Sequence, residues 1–328
     1  MLRRRIMEIK NSRVLITGGA GLIGSFIAEQ LIQDGIKEVV ILDSLIRGTR
    51  DNIKDALSSG KAALIEGDIR NRAFLDNLFQ DIDYCFHMAA LRINDCASDP
   101  RQAQEVMLEG TFNVAEACVK HKVKKIVTAS SASIYGMADA FPIKEDHHPY
   151  NNRTLYGAAK AANEGLFRSF NDMYGLNYNA MRYFNVYGPR MDTRGKYTEV
   201  IIRWYHLIKE GKPPMIYGDG KRTSDFVYVE DVARANILAL KADVTDEVFN
   251  VASGVETSLE ELCLLLLEIM NSNLKPTTIP IPNDRTKNDV TRRLADVSKA
   301  YDQIGFKAKF SLREGLKRLV SWLDSQKP

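Results

Sequence analysis

Tyr156 and Lys160 stand four positions apart in Tyr156-Gly-Ala-Ala-Lys160, and the serine-rich stretch Ser130-Ser-Ala-Ser133 lies about 25 residues upstream. Residues four apart share a helix face, so the Lys160 ammonium favours ionisation of the Tyr156 phenol. That pair is a candidate base. A free tyrosine titrates near pH ~10, so half-ionisation near neutrality needs a shift of about 3 units, or roughly 4 kcal/mol. One adjacent cation supplies about 1 to 3 units. A second positive charge would complete the shift, and an oxidised nicotinamide ring carries one.

The N-terminal region offers a place to hold such a ring. A short apolar strand, Arg13 to Thr17, runs directly into Gly18-Gly-Ala-Gly21-Leu-Ile-Gly24, and a helical pattern follows from Ser25 to Gln33. Strand, glycine turn and helix form the context that gives this motif meaning. Glycines let the backbone turn tightly against a pyrophosphate, and the helix N-terminus presents unpaired N–H groups with a positive dipole end. The next strand, Glu38 to Leu42, ends in Asp43, 19 residues past Gly24, where a carboxylate can bind both ribose hydroxyls. An acid there favours NAD over NADP.

The elements that must position these groups alternate strand and helix. Strands are read at Ala62 to Glu66, Tyr84 to His87, Lys125 to Ala129 and Tyr178 to Arg182, with helices from Arg72 to Phe79, Gln102 to Lys120 and Tyr156 to Tyr174. This pattern predicts an α/β fold: a Rossmann-type doubly wound parallel sheet with ligands at the strands' C-terminal ends. Ser130, Ser131 and Ser133 fall at such an end. After Asn185-Val-Tyr-Gly-Pro-Arg190 the character changes to helices (about Tyr197 to Glu210, Glu230 to Lys241 and Leu259 to Met270) among Gly- and Pro-rich loops and short strands at Met215 to Tyr217, Phe226 to Tyr228 and Val248 to Asn250. Residues 1–185 are read as the NAD-binding domain, with 1–11 a tail. Residues 186–328 are read as mainly a smaller, mixed substrate lobe, some segments of which return to the first domain.

Composition narrows the classes. Lys and Arg total 45 against 42 Asp and Glu, a net charge of +3, with no block of one sign beyond Arg3-Arg4-Arg5. This argues against a nucleic-acid or membrane surface. Four separated cysteines, Cys85, Cys96, Cys118 and Cys263, lack metal or disulfide spacing and read as reduced thiols of a cytoplasmic protein. No metal site is expected: adjacent His147 and His148 cannot both face one ion from a regular element, and His87 reads as structural. The N-terminus has no apolar signal segment, and no run reaches the ~18 to 20 apolar residues of a membrane span.

Taken together, the motifs resemble the extended short-chain dehydrogenase/reductase family, in particular its NAD-dependent nucleotide-sugar epimerase/dehydratase group. The resemblance spans nearly the whole chain: Thr17 to Gly24, Gly67-Asp68-Ile69, His87-Met-Ala-Ala90, Ser130 to Gly136, Tyr156-xxx-Lys160, Arg182 to Arg190, Gly218-Asp-Gly220 and Leu294-Ala-Asp296. It implies that Gly18, Gly21, Leu22, Ile23 and Gly24 cradle the NAD pyrophosphate, Asp43 takes the adenine ribose, Asp68 and Ile69 hold the adenine, and Ala89 and Ala90 complete the cofactor site. It implies Tyr156 as base, Lys160 as ribose ligand and modulator of the phenol, and Ser131 as partner of the reacting sugar oxygen. Substrate contacts fall on Arg92, Ser133, Asn185 for the phosphate and Tyr217 for the nucleotide base.

Dehydratases and decarboxylases of the group carry acidic groups just after that serine. Here Ala132 and Ser133 stand there. What remains is oxidation and re-reduction at one carbon, so the expectation is a 4-epimerase acting on a nucleotide sugar (UDP-hexose, N-acetylhexosamine or hexuronate) through a 4-keto intermediate. A decarboxylase, dehydratase or reductase of the same family is the alternative, and a non-catalytic NAD-binding scaffold or sensor a remote one. Two diphosphate arginines of the family are replaced by Ser224 and Thr286, beside which Arg222 and Arg285 stand as substitutes. Arg293 occupies the position that limits pocket size, where a guanidinium can read a carboxylate by a bidentate pair. The resemblance also implies a homodimer built on the helices Gln102 to Lys120 and Tyr156 to Tyr174, with Val106, Val114, Ala158 and Ala162 at the contact.

Overall fold

The computed structural model describes residues 8–193, 199–281 and 290–326. Seven parallel strands form the main sheet in the order Glu247–Val251, Tyr178–Tyr183, Lys125–Ser131, Tyr84–His87, Arg13–Thr17, Glu38–Asp43, Ala62–Glu66. Runs such as Val14-Leu-Ile16 and Val39-Val-Ile-Leu42 are wholly buried, as strands covered on both faces must be. Parallel neighbours need long crossovers, and these supply the covering helices.

On one face, helices Leu22–Gln33 and Val229–Lys241 pack around Phe26, Ile27, Leu31, Val232 and Leu240. On the other, helices Arg72–Leu78, Gly110–Lys120 and Leu155–Tyr174 bury Leu75, Val114, Cys118, Phe167 and Phe170. The chain runs outward from Arg13–Thr17 to Ala62–Glu66, then returns to the other side of Arg13–Thr17 with Tyr84–His87. That reversal opens the crevice where ligands of such sheets sit.

The helix read over Gln102 to Lys120 begins earlier and is interrupted. It consists of Pro100–Gln104, a π-helical turn Glu105–Glu109, and Gly110–Lys120. The widened turn frees the Met107 carbonyl, which accepts from Asn163 Nδ2 at 2.9 Å and so ties this helix to the one bearing Tyr156.

The short strand signal at Val248 to Asn250 is part of Glu247–Val251, the seventh strand of the large sheet. Helix Val229–Lys241 likewise covers that sheet. Helix Ser298–Ile304 also packs on the large-sheet core through Ala300 and Ile304, and the other C-terminal elements form a separate layer. One small sheet orders Glu256–Ser258, Thr223–Tyr228 and Asn185–Tyr187, and another pairs Thr277–Ile279 with Met215–Tyr217. Helices Val200–Lys209, Leu259–Ile269 and Leu312–Ser325 close over them around Ile202, Trp204, Leu262, Leu266, Leu316 and Leu319. Capping boxes at Ser258/Glu261 and Ser311/Glu314 start two of these helices.

Candidate active site

The strand Lys125–Ser131 ends at Ser131, whose hydroxyl accepts from the Ser133 amide at 3.1 Å and starts the short turn Ala132–Ile134. Tyr156 is the second residue of helix Leu155–Tyr174. Thr154 caps that helix, its hydroxyl accepting from Gly157 N at 3.1 Å. Gly157 explains how the two segments meet: a Cβ there would lie 2.3 Å from Asn152 Oδ1 and 2.6 Å from the Ser133 carbonyl. With no side chain at 157, the helix N-terminus seats directly on the serine turn, which brings the Ser131 hydroxyl close enough to the Tyr156 phenol to favour its ionisation. A buried network fixes the helix at this spot. Arg182 pairs with Glu164 at 2.6 Å and donates to Tyr135 Oη at 2.9 Å, Tyr135 donates to Asn250 at 2.6 Å, and Ser130 donates to Glu164 at 2.5 Å.

Lys160 is 4 % exposed, its Nζ 5.8 Å from the Tyr156 ring centroid and 2.6 Å from the Ala129 carbonyl it donates to. Burial pulls its ammonium down to about 8. Burial pushes the Tyr156 phenol above its usual value, opposed by the Ser131 hydroxyl and by the Arg47 and Arg293 guanidiniums. Arg47, in the loop after Glu38–Asp43, therefore joins the site from a position that carries no motif. It lies 3.9 Å from Asp192, which also pairs with Arg92. Arg50 turns away to Glu66 at 3.5 Å. The protein alone thus leaves the phenol protonated, and a further positive charge is still required.

The glycine turn is shaped for a close visitor. A Cβ on Gly18, whose φ is +66°, would meet Ala89 N at 2.7 Å, and one on Gly24 would meet the Gly18 carbonyl at 2.5 Å. Helix Leu22–Gln33 starts at Gly21 without a side-chain cap, so its first amides, including those of Leu22 and Ile23, are open to an anion. Asp43, 7 % exposed, accepts from Ala20 N at 2.9 Å and Leu45 N at 2.8 Å at the end of its strand. Asp68 is held by Arg70 at 2.7 Å, Ile69 is buried beneath Gly110, and Ala90 packs near Tyr156. These residues fit a dinucleotide laid across the crevice. His87 donates or accepts only inside the fold, with Thr17 at 2.7 Å and Thr111 at 3.0 Å, and burial lowers it to about 3, which keeps it neutral.

On the other wall, Asn185 opens its strand with Oδ1 buried and without a partner among the described residues. Tyr217 ends strand Met215–Tyr217, and the Arg203 guanidinium lies over its ring at 5.9 Å with a buried Nε that has no partner among the described residues. Arg203 escaped the sequence reading because nothing in the helical pattern marks it. Arg222 precedes strand Thr223–Tyr228. Arg293 is partly buried and lines a cavity of about 40 Å³ with Ser133 and Thr154. It has no hydrogen-bond or ion-pair partner among the described residues, whereas its neighbour Arg292 pairs with Glu256 at 2.7 Å. Arg285 and Thr286 lie outside the described residues.

A family model, the NAD dependent epimerase/dehydratase family, matches residues 14–252. The chain belongs to that family. Its cofactor is NAD. The chain is 33 % identical over 318 residues to UDP-glucose 4-epimerase of Mycolicibacterium smegmatis, covering 96 % of this chain and 99 % of that one. It is 31 % identical over 317 residues to UDP-N-acetyl-alpha-D-glucosaminuronate decarboxylase of Bacillus cytotoxicus, covering 94 % and 97 %. Among solved structures, the UDP-N-acetylglucosamine 4-epimerase of Methanobrevibacter ruminantium M1, in complex with UDP-N-acetylmuramic acid, superposes with a TM-score of 0.90 at 33 % identity, covering 97 % of this chain and all of that one. No helix among the described residues is long and apolar enough to cross a membrane.

Proposed function

We propose that the chain is a nucleotide-sugar 4-epimerase. The observation that carries this reading is the set of groups around Tyr156: a hydroxyl from Ser131 and guanidiniums from Arg47 and Arg293, with Ala132 and Ser133 where an eliminating or decarboxylating enzyme would need a carboxylate. Bound NAD supplies a hydride acceptor and donor. The protein's part is proton handling and positioning. Ser131 orients the sugar C4 oxygen, Tyr156 takes its proton and later returns it, and Lys160, 5.8 Å from the Tyr156 ring centroid, would hold the nicotinamide ribose. Asn185, whose buried oxygen has no partner among the described residues, and Tyr217 with Arg203 hold the nucleotide end while the 4-keto sugar turns over.

Arg293 extends the reading to sugars with an acidic substituent beside C4. A partly buried guanidinium with no hydrogen-bond or ion-pair partner among the described residues, next to the group that works on C4, is placed to take a carboxylate on an adjacent carbon. The UDP-N-acetylmuramic acid bound by the Methanobrevibacter relative carries an acidic sugar, which supports this choice. The second reading, decarboxylation of a uronate, is favoured by the Bacillus relative. It would release CO₂ from C5 of the 4-keto sugar, take up one proton there and yield a pentose.

The test is a panel of UDP-, GDP- and dTDP-linked hexoses, amino sugars and hexuronates incubated without added NAD. The C4 epimer is expected to form, and Tyr156→Phe is expected to slow it by about 10²-fold or more. Undiminished turnover by that variant would remove the base, and a pentose product would favour the second reading.

A further inference from the structure

Adjacent histidines cannot share an ion from a regular helix or strand, but His147 and His148 lie in an irregular loop, and there the restriction lapses. Their side chains converge on Asp139, eight residues earlier. His147 Nε2 stands 2.9 Å from Asp139 Oδ1, His148 Nε2 stands 3.5 Å from Asp139 Oδ2, and one ligand atom from each of the three lies within 4.8 Å of the others. We propose that Asp139, His147 and His148 form a binding site for a divalent transition-metal ion, of which Zn²⁺ is the best match, with water completing the coordination.

The spacing is that of a chelate about to close. Ligand atoms each about 2.1 Å from a tetrahedral ion stand about 3.4 Å apart, so donors at 2.9 and 3.5 Å need only small movements. The protonation of His147 is also suitable. With its proton on Nδ1 it donates to the His148 carbonyl at 2.8 Å, and the single lone pair of Nε2, which otherwise accepts from the Asp139 amide at 3.3 Å, would turn to the ion. A backbone acceptor on the distal nitrogen is the support that metal-bound imidazoles use. His148 must move its proton from Nε2 to Nδ1, which gives up only a 3.3 Å contact from Tyr150 N at the exposed surface.

The rings are also held in place. His147 is 6 % exposed against Tyr135, and His148 stacks on Tyr150 at 5.4 Å, while Asp139 is 64 % exposed and leaves an entry path. Two imidazoles and a carboxylate suit Zn²⁺, Ni²⁺ or Cu²⁺ over Mg²⁺ or Ca²⁺, which take oxygen ligands. The ion would join the two arms of the loop that starts at the serine turn and returns to Thr154. The arms already touch at their base, where Asn151 Nδ2 donates to the Met137 carbonyl at 2.9 Å.

The site is tested by calorimetric titration of ZnCl₂ into EDTA-treated, tag-free protein, with Asp139→Asn and His148→Ala as variants. Both positions are exposed and outside the proposed catalytic set, and thermal melts without metal check that the variants fold. One equivalent is expected to bind wild type, and each variant is expected to weaken it at least tenfold, about the least that loss of a supporting group costs a metal site. With Cu²⁺ in place of Zn²⁺, electron paramagnetic resonance is expected to show two nitrogen ligands, reduced to one in His148→Ala. Absence of binding, or equal binding by wild type and both folded variants, would overturn the proposal.

Discussion

Replacing Lys160 by methionine should make the cofactor-free protein more stable while disabling it. The ammonium is buried, and its titration is drawn from 10.5 to about 8. A shift of about 2.5 units corresponds to about 3 kcal/mol spent holding the charge inside the fold near neutrality. Methionine removes that cost with similar volume, but the Ala129 carbonyl loses its 2.6 Å donor, worth about 1 kcal/mol. The variant should therefore gain about 2 kcal/mol at pH 7. Because the folded-state value lies below the unfolded one, the cost in wild type is fully present below pH ~8 and fades as pH rises towards 10.5. The variant's advantage should fade over the same window. Urea unfolding of both proteins, stripped of cofactor, at pH 7, 8.5 and 10 measures this directly. A variant less stable than wild type at pH 7, or a difference that does not change with pH, would refute the reasoning.

Other perturbations separate the parts of the site. Gly24→Ala puts a Cβ 2.5 Å from the Gly18 carbonyl, and should cost about 1 to 3 kcal/mol and strip NAD from the purified protein, read by its absorbance after denaturation. Gly157→Ala forces the catalytic helix off the Ser133 carbonyl. It should keep its NAD yet lose most turnover, which a coupled epimerase assay with a cofactor count would show. Val114, expected at a dimer contact, is instead wholly buried in this chain's own core, whereas Phe112, Leu155 and Met173 expose 46, 40 and 65 % of their surfaces on the two helices expected to pair there. Light scattering should give a dimer for wild type and a monomer for Phe112→Glu, and a monomeric wild type would discard that interface.

The sheet was legible because each strand is a short apolar run punctuated by glycine or a polar turn, and each crossover helix is long enough to keep its period. The meeting of Tyr156, Lys160 and Ser131 was legible for a local reason: helix spacing fixes the first two, and the strand end places the third. Contacts made across the fold left no such trace. Nothing near Arg47 announces that its guanidinium acts on the phenol, and Arg293 was legible as a pocket residue only through the family resemblance. Nor does the sequence around Val248 say that its strand pairs with Tyr178–Tyr183 rather than with the small sheets, since pairing partners are chosen by tertiary packing. The π-helical turn at Glu105–Glu109 likewise makes its contacts with distant residues: Asn163 Nδ2 donates to the Met107 carbonyl, and Ile69 packs against Gly110 just after the turn.

The central claim is hydride removal and return at a single carbon. Its most direct measurement uses a nucleotide sugar deuterated at C4 and turned over in ordinary water, with the product followed by mass spectrometry and NMR. Retention of deuterium at C4 in both epimers, without added NAD and without exchange at C5, is the predicted result. Loss of the label to water, exchange at C5, or a product one carbon shorter would contradict it.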